Sequence, residues 1–262
     1  MSPDPAALLR IYYENLRDFS APTAVSSVRL GPLHLVTFAG GFGFVAYRDL
    51  AGADAGTLRE WVAAVREHFA ADRAVHTAEW KTFGHDDAPG LYEALVEHGF
   101  ERGEEETVMM GPAAGLVTAV ALPVGVVVRR VTEEADVRAV SAMADTAFGD
   151  PVSAGRADDL VRRLAADPDV ELWVAEADGV PVGSGRLEPV AGTEVAGIWG
   201  GATLPGWRGL GIYRALTAAR ARSALRLGKS VLQSDSTPYS RPILERSGLV
   251  RVTTTTPYEW RR

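Results

Sequence analysis

With 262 residues, 47% of them apolar and 23% charged, the chain has the composition of a soluble globular protein of one large or two small domains. The absence of cysteine excludes disulfides, thiolate metal sites and an acyl-cysteine intermediate. The net charge of −7 divides into −8 over residues 1–124 and +1 over 125–262, so the first half argues against nucleic-acid binding. That acidity either steers a cationic or amine substrate or simply maintains solubility.

In chain order, the opening MSPDPAALLRIYYENLRDF lacks the basic-then-apolar order of a signal peptide. Leu8, Tyr12, Leu16 and Phe19 predict an amphipathic helix instead. No run reaches the roughly 20 apolar residues needed to span a bilayer, so a cytoplasmic protein without membrane attachment is expected. Gly43–Arg48 reads as a strand, residues 57–70 as a helix, Glu79–Phe83 as a strand and Leu91–Phe100 as a helix. The uncharged stretch Met110–Gly125 reads as the connection between two halves. The division expected is an N-terminal domain over 1–112, a linker over 113–125 and a C-terminal domain over 126–262.

The second half predicts a strand over Val126–Val131 and helices over Glu133–Phe148 and Ala154–Ala166. A hairpin over Glu171–Ala177 and Val180–Leu187 turns on Asp178-Gly179. Val195–Leu204 reads as a strand broken by Pro205-Gly206, and a helix follows Gly211 and stops at Gly228. Val231–Ser234 is a strand, Arg241–Ser247 a helix, and Leu249–Trp260 supplies closing strands.

One segment stands out for charge. Between Glu194 and Asp235 there is no acid, yet Arg208, Arg214, Arg220, Arg222, Arg226 and Lys229 all fall there. A helix N-terminus presents unpaired N–H groups and partial positive charge, so cations crowded onto it call for an anion, foremost a phosphate. Gly209 and Gly211 let the backbone turn tightly and approach such a ligand.

These residues resemble the fingerprint of the GCN5-related N-acetyltransferase (GNAT) family, Gln/Arg-x-x-Gly-x-Gly/Ala between a strand and a helix. Arg208 and Gly211 match, and Tyr213 stands where Gly or Ala is usual. A side chain as large as Tyr213 must point away from the pyrophosphate or shape the acyl pocket. The element order over 126–262 is also the family's. The resemblance implies an α+β, mixed-sheet GNAT fold with two GNAT-like halves, of which the first is degenerate. In that first half Asp49–Asp54 replaces the fingerprint, and its two aspartates would repel pyrophosphate. It further implies acetyl-CoA as cofactor, held by Arg208, Gly209, Leu210, Gly211, Ile212 and Tyr213. Ala202, Thr203 and Leu204 would pair with the pantetheine arm, and Ser240 would lie beside it. The activity implied is N-acylation of a small-molecule amine by direct attack in a ternary complex, with dimerisation a frequent family habit.

The catalytic residues are less determined. The strand segment Ala196–Gly201, where some relatives carry a glutamate base, has no ionisable group. Glu188 and Glu194 bracket the preceding hairpin and could act through water, or serve as solvated turn carboxylates. Asp235 is a base, a partner for a substrate ammonium, or a helix N-terminal charge. The family's tyrosine acid would fall at Leu244, which leaves Tyr239, Ser236 and Ser240 as substitutes; the two serines are equally good helix caps. No metal site is expected, and His85 is the one histidine in an acidic turn. The missing tyrosine and strand carboxylate keep open a non-catalytic acyl-CoA-binding module as the alternative.

Overall fold

The computed structural model describes residues 4–17 and 24–262. In chain order its elements are α1 (Pro5–Leu16), β1 (Ala24–Leu30), β2 (Leu33–Phe38), β3 (Phe42–Ala46), α2 (Ala55–Ala71), β4 (Thr77–Phe83), α3 (Leu91–Glu97), β5 (Glu101–Arg102) and β6 (Glu106–Pro112). After a 3-10 turn over Ala113–Leu116 come β7 (Val126–Val131), α4 (Glu134–Phe148), α5 (Ala154–Ala166), β8 (Glu171–Ala177), β9 (Val180–Pro189) and β10 (Val195–Thr203). A second 3-10 turn, Pro205–Trp207, leads to α6 (Ile212–Arg226), β11 (Val231–Ser236), α7 (Arg241–Arg246) and β12 (Val250–Arg261). On α1 Leu8 and Tyr12 are buried as the amphipathic pattern requires, while Phe19 lies outside the described residues.

The chain forms two compact units: residues 1–8 with 109–251, and residues 9–108 with 252–262. The division therefore interleaves in sequence, because the last strand belongs almost wholly to the unit built from the first half. The closing segment is one 12-residue strand rather than several. Its Val/Thr run contains no glycine and no turn pair to break it.

In the smaller unit the strand order is β1-β2-β3-β4-β12, with β5 also pairing β12. β3 and β4 run parallel, and β4 and β12 antiparallel from Thr255↔Phe83 to Arg261↔Thr77. The stripe Leu58, Val62, Val65 and Phe69 buries α2 against this sheet. Gly43 makes that approach possible, since a Cβ there would fall 2.6 Å from the Phe69 ring.

His85 in this unit is half-buried; its Nδ1 lies 2.8 Å from Thr253 Oγ1 and its Nε2 3.1 Å from Arg17 Nη1. Burial, and secondarily the Arg17 guanidinium, lower its pKa from the ordinary 6.5, against an opposing pull from Asp86.

In the larger unit the order is β6-β11-β10-β9-β8-β7. The β8–β9 hairpin turns on Asp178 (φ 49°) and Gly179 (φ 80°), the two left-handed residues of a type I′ turn. α6 is buried along nearly its whole length, with Ile212, Ala215, Leu216, Ala218, Ala219, Ala221 and Ala224 all inaccessible. Two glycines of β9 admit it. A Cβ on Gly183 would meet Ile212 at 2.8 Å, and one on Gly185 would meet the Arg220 guanidinium at 2.5 Å.

Two outcomes are expected. Gly185→Val should destabilise the protein by about 2 kcal/mol in denaturant unfolding, as overpacking does; an unchanged midpoint would remove β9 from the docking of α6. In an NMR titration, with His85→Gln assigning the signal, the His85 imidazole should titrate below 6.5. Because the folded value is depressed, the stability it contributes is present above pH 6.5 and is lost as pH falls below it. A midpoint at or above that value would contradict the burial argument.

Candidate active site

The site grows out of a parallel pair that parts. β10 and β11 are in register at Val195↔Val231, Ala196↔Leu232 and Gly197↔Gln233, and there the pairing ends. β10 nevertheless continues to Thr203 and β11 to Ser236. On its other edge β10 stays paired with β9, but through a bulge between Trp199 and Ala202 that contains Gly200 at φ 58°. The strands therefore separate where β10 bends, and among the described residues the β11-facing edge of Ile198–Thr203 carries no ladder partner. Such an edge can accept an extended ligand as an added strand.

Beside the opening lies the N-terminus of α6. Its cap residue Gly211 sits in the left-handed region (φ 84°), no side chain caps the helix, and its first turn has no acid. Gly209 is also left-handed (φ 77°) and faces open space, whereas Gly211 abuts Val120. The uncapped N–H groups and the helix dipole make this an anion-accepting end. Arg214 in the first turn is exposed. Arg208 serves the loop rather than facing the opening: its Nε donates to the Thr203 carbonyl at 3.2 Å and its Nη2 to the Ala147 carbonyl at 2.9 Å. It thus ties the loop to the end of β10 and to the last turn of α4.

Three buried polar atoms at this place have no hydrogen-bond partner among the described residues: Thr203 Oγ1, Gln233 Oε1 and Arg241 Nε, the last lying 3.9 Å from Glu245 Oε1. They sit at the end of β10, at the last paired residue of β11 and at the first residue of α7. Buried polar atoms are rarely left without a hydrogen bond, and those at the parting ends of β10 and β11, Thr203 Oγ1 and Gln233 Oε1, fit a polar ligand arm. The residues present therefore suit coenzyme A, with α6 toward the pyrophosphate and the free edge of β10 toward the pantetheine amides.

The candidate catalytic groups are placed unequally. Asp235 is half-buried on β11 just beyond the parting, and Gln233 Nε2 donates to its Oδ1 at 2.6 Å. Glu188 is on β9, opposite Gly197, with one oxygen accepting from Arg186 Nε at 2.9 Å and the other bonded to Arg163. Glu194 accepts from the Ser230 hydroxyl at the closed end of the parallel pair. Tyr239 is 88% exposed, while Leu244, at the position of the family's tyrosine, is fully buried. Ser240 occupies the cap position of α7 but makes no capping bond. Trp199 is half-buried and lies over Gly197, where a Cβ would be 2.1 Å from the indole nitrogen.

Sequence reasoning counted Arg220 only among the cations of the acid-free run, and the structure buries it. It is 1% exposed, its Nε donates to Leu216 O at 3.2 Å, and its Nη2 to Thr217 Oγ1 at 3.2 Å. Its Nη1 faces the Arg186 carbonyl at 3.2 Å and the Trp199 carbonyl, at the bulge, at 3.5 Å. Burial lowers its pKa to about 10, which leaves it charged at neutral pH. The signal was available: an arginine at a position that the helical period assigns to the buried face.

The smaller unit repeats the strand–helix–strand–helix order with the opposite chemistry. Its parallel pair β3–β4 also ends early, at Val45↔Trp80, but the following Tyr47 and Leu50 are buried in the unit's own core. The N-terminus of α2 is capped by Asp54, whose Oδ1 accepts from Thr57 N at 2.8 Å. A carboxylate of the chain thus occupies the anion position. A nearby cavity of about 300 Å³ is lined by Tyr13, Asp49, His85, Asp86 and Asp87, an acidic wall unsuited to pyrophosphate.

A parallel pair that parts beside an uncapped, acid-free helix end, within a mixed α+β sheet, is the architecture of an acyl-CoA N-acyltransferase. Residues 138–248 match the model of the acetyltransferase (GNAT) family, so this part of the chain carries a GNAT acetyltransferase domain. Its fold is similar to a GCN5-related N-acetyltransferase from Kribbella flavida, with TM-score 0.67 and 19% identity over 97% of this chain and 95% of that one. A GCN5-related N-acetyltransferase from Sphaerobacter thermophilus gives TM-score 0.64 and 19% identity over 99% and 94%. A tandem GNAT protein from the clavulanic acid biosynthesis pathway gives 0.62 and 15% over 93% and 85%. At these identities the likeness is one of fold. No curated protein shows significant similarity to the sequence.

Arg208→Ala should cost about 1 kcal/mol, the value of lost hydrogen bonds at a partly exposed site. It should also speed amide exchange over residues 204–211. Exchange there at the wild-type rate would mean that Arg208 does not hold the loop.

Proposed function

We propose that the protein transfers the acetyl group of acetyl-CoA to the amino group of a small molecule, by direct attack with both substrates bound. The observation that supports this best is the parting of β10 and β11 next to the uncapped N-terminus of α6. Bound acetyl-CoA would supply an acyl group activated as a thioester; transfer joins its carbonyl carbon to the amine nitrogen, breaks the C–S bond and releases the thiol. The free N–H groups of β10 beyond the bulge are the donors for developing negative charge on the acyl oxygen. Ala202 and Thr203 hold the arm with their free edge, and the backbone of Gly209–Tyr213 holds the pyrophosphate. Leu204, whose N–H donates to the Val182 carbonyl and whose carbonyl accepts from Trp207 N, lies beside the arm with its side chain.

Asp235 is the favoured base or ammonium partner, because it stands just past the parting and is half-buried. Glu188 shares its carboxylate between two arginines, and its role is to fix β9 and α5 or to pass a proton through water. Tyr239, exposed on the turn before α7, is the group that would return a proton to the thiolate. The acidic first half favours a cationic acceptor over an anionic one.

Gly209 provides a clean test, since a side chain there meets nothing within 4 Å and both Asn and Asp tolerate its left-handed backbone. In calorimetric titration the wild type should bind acetyl-CoA, Gly209→Asn should stay within about threefold, and Gly209→Asp should weaken binding by at least about tenfold. Equal affinities for the two variants, or no binding by the wild type, would take the cofactor away from this loop. With binding established, Asp235→Asn should reduce acetyl transfer to an amine panel by about a hundredfold with little effect on cofactor affinity.

A further inference from the structure

The family fingerprint closes on Gly or Ala, and here that position carries Tyr213, the second residue of α6. Its ring does not face the loop. A Cβ built on Gly201 would come within 2.9 Å of Tyr213 Cε2, so the ring lies over the bulged part of β10, beyond the last β10–β11 pair. Its hydroxyl lies near Thr217 on α6 and Ser240 at the start of α7, and Thr217 Oγ1 donates to the Tyr213 carbonyl at 2.8 Å. Ser240 does not cap α7; its hydroxyl donates to the Thr237 carbonyl at 3.5 Å. The Tyr213 side chain thus runs from α6 over the bulge of β10 toward the start of α7.

Behind the ring is apolar core. Tyr213 packs against a cluster that includes Met109, Ala113, Ala221, Ala224 and Leu244, each fully buried. Burial also raises the phenol pKa above its ordinary value, so the side chain stays neutral at physiological pH. A close-packed interior yields to extra methylenes only by displacing something, and here Tyr213 is what an acyl chain directed toward α6 would meet.

We propose that Tyr213 sets the acyl-chain limit of the enzyme: it closes the α6 side of the opening, so that acetyl is accepted and longer acyl chains are excluded. The inference rests on the coenzyme A reading of the same site. Removing the ring would leave a space lined by the apolar cluster, and a dry apolar space takes up alkyl groups.

The test is calorimetric titration of coenzyme A, acetyl-CoA, butyryl-CoA and octanoyl-CoA into the wild type, Tyr213→Phe, Tyr213→Leu and Tyr213→Ala. The wild type and Tyr213→Phe should bind octanoyl-CoA at least about tenfold more weakly than acetyl-CoA, each excluded methylene counting against binding. Tyr213→Leu should relax the limit for butyryl-CoA, and Tyr213→Ala should bring octanoyl-CoA to within about threefold of acetyl-CoA or better. If Tyr213→Ala does not fold, the Tyr213→Leu series alone decides. A wild type that binds octanoyl-CoA as tightly as acetyl-CoA, or small variants that keep the wild-type ranking, would overturn the proposal and leave the cofactor site intact. Failure of the wild type to bind any of the four would overturn the cofactor reading and this inference together.

Discussion

The larger unit depends on how closely α6 approaches β9. Gly183 and Gly185 strip one face of that strand, and the alanines of α6 fill the space without standing the helix off. Close packing then fixes the direction of the helix, and with it the place of its N-terminus beside the bulge of β10. Arg220 reinforces the arrangement from within. Its guanidinium lies flat on Gly185 and meets the carbonyls of Arg186 and Trp199, so it spans β9 and β10 where the bulge begins. An uncapped helix end can take an anion only where a ligand can reach it, and these contacts put it at the opening.

The two units show one arrangement tuned in opposite directions. Both place a helix after a strand whose parallel partner soon drops away. In one, the helix begins on a left-handed glycine with no cap, and its N–H groups await an acceptor. In the other, Asp54 supplies the acceptor from the chain itself, and Tyr47 and Leu50 fill the core where the strands part. The difference lies in a handful of residues, yet it decides whether the helix end keeps its N–H groups uncapped or has one met by an internal carboxylate.

Much of this was legible in the sequence because it is written in local chemistry. Periodicity located α2, α4, α5 and α6, the Asp178-Gly179 pair fixed the hairpin turn, and the acid-free run from Val195 to Ser234 marked the loop. What remained hidden was non-local. β1 and β2 join through a short turn at Gly31-Pro32, and their alternation is too mixed to separate from loop. The assignment of β12 to the smaller unit depends on antiparallel partners more than 170 positions away, which no window of sequence contains. Arg208 looked like a ligand for an anion because charge alone was visible; its two carbonyl partners come from β10 and from the end of α4. Tyr213 was a departure from a pattern until its ring was found over Gly201.

The same non-locality explains a buried charge that the composition made conspicuous. Arg220 lies in a stretch without acids, and among the described residues no carboxylate pairs with it. An isolated buried guanidinium is costly, and the usual remedy is an ion pair. Here the remedy is carbonyl and hydroxyl oxygens, which satisfy the donors but leave the charge uncancelled. A carboxylate at that place would have neutralised the interior of α6 and weakened its attraction for an anion. The exclusion of acids from residues 195–234 and the choice of neutral ligands for Arg220 are therefore one design feature: both keep the region around the opening positive, in a protein whose net charge is −7.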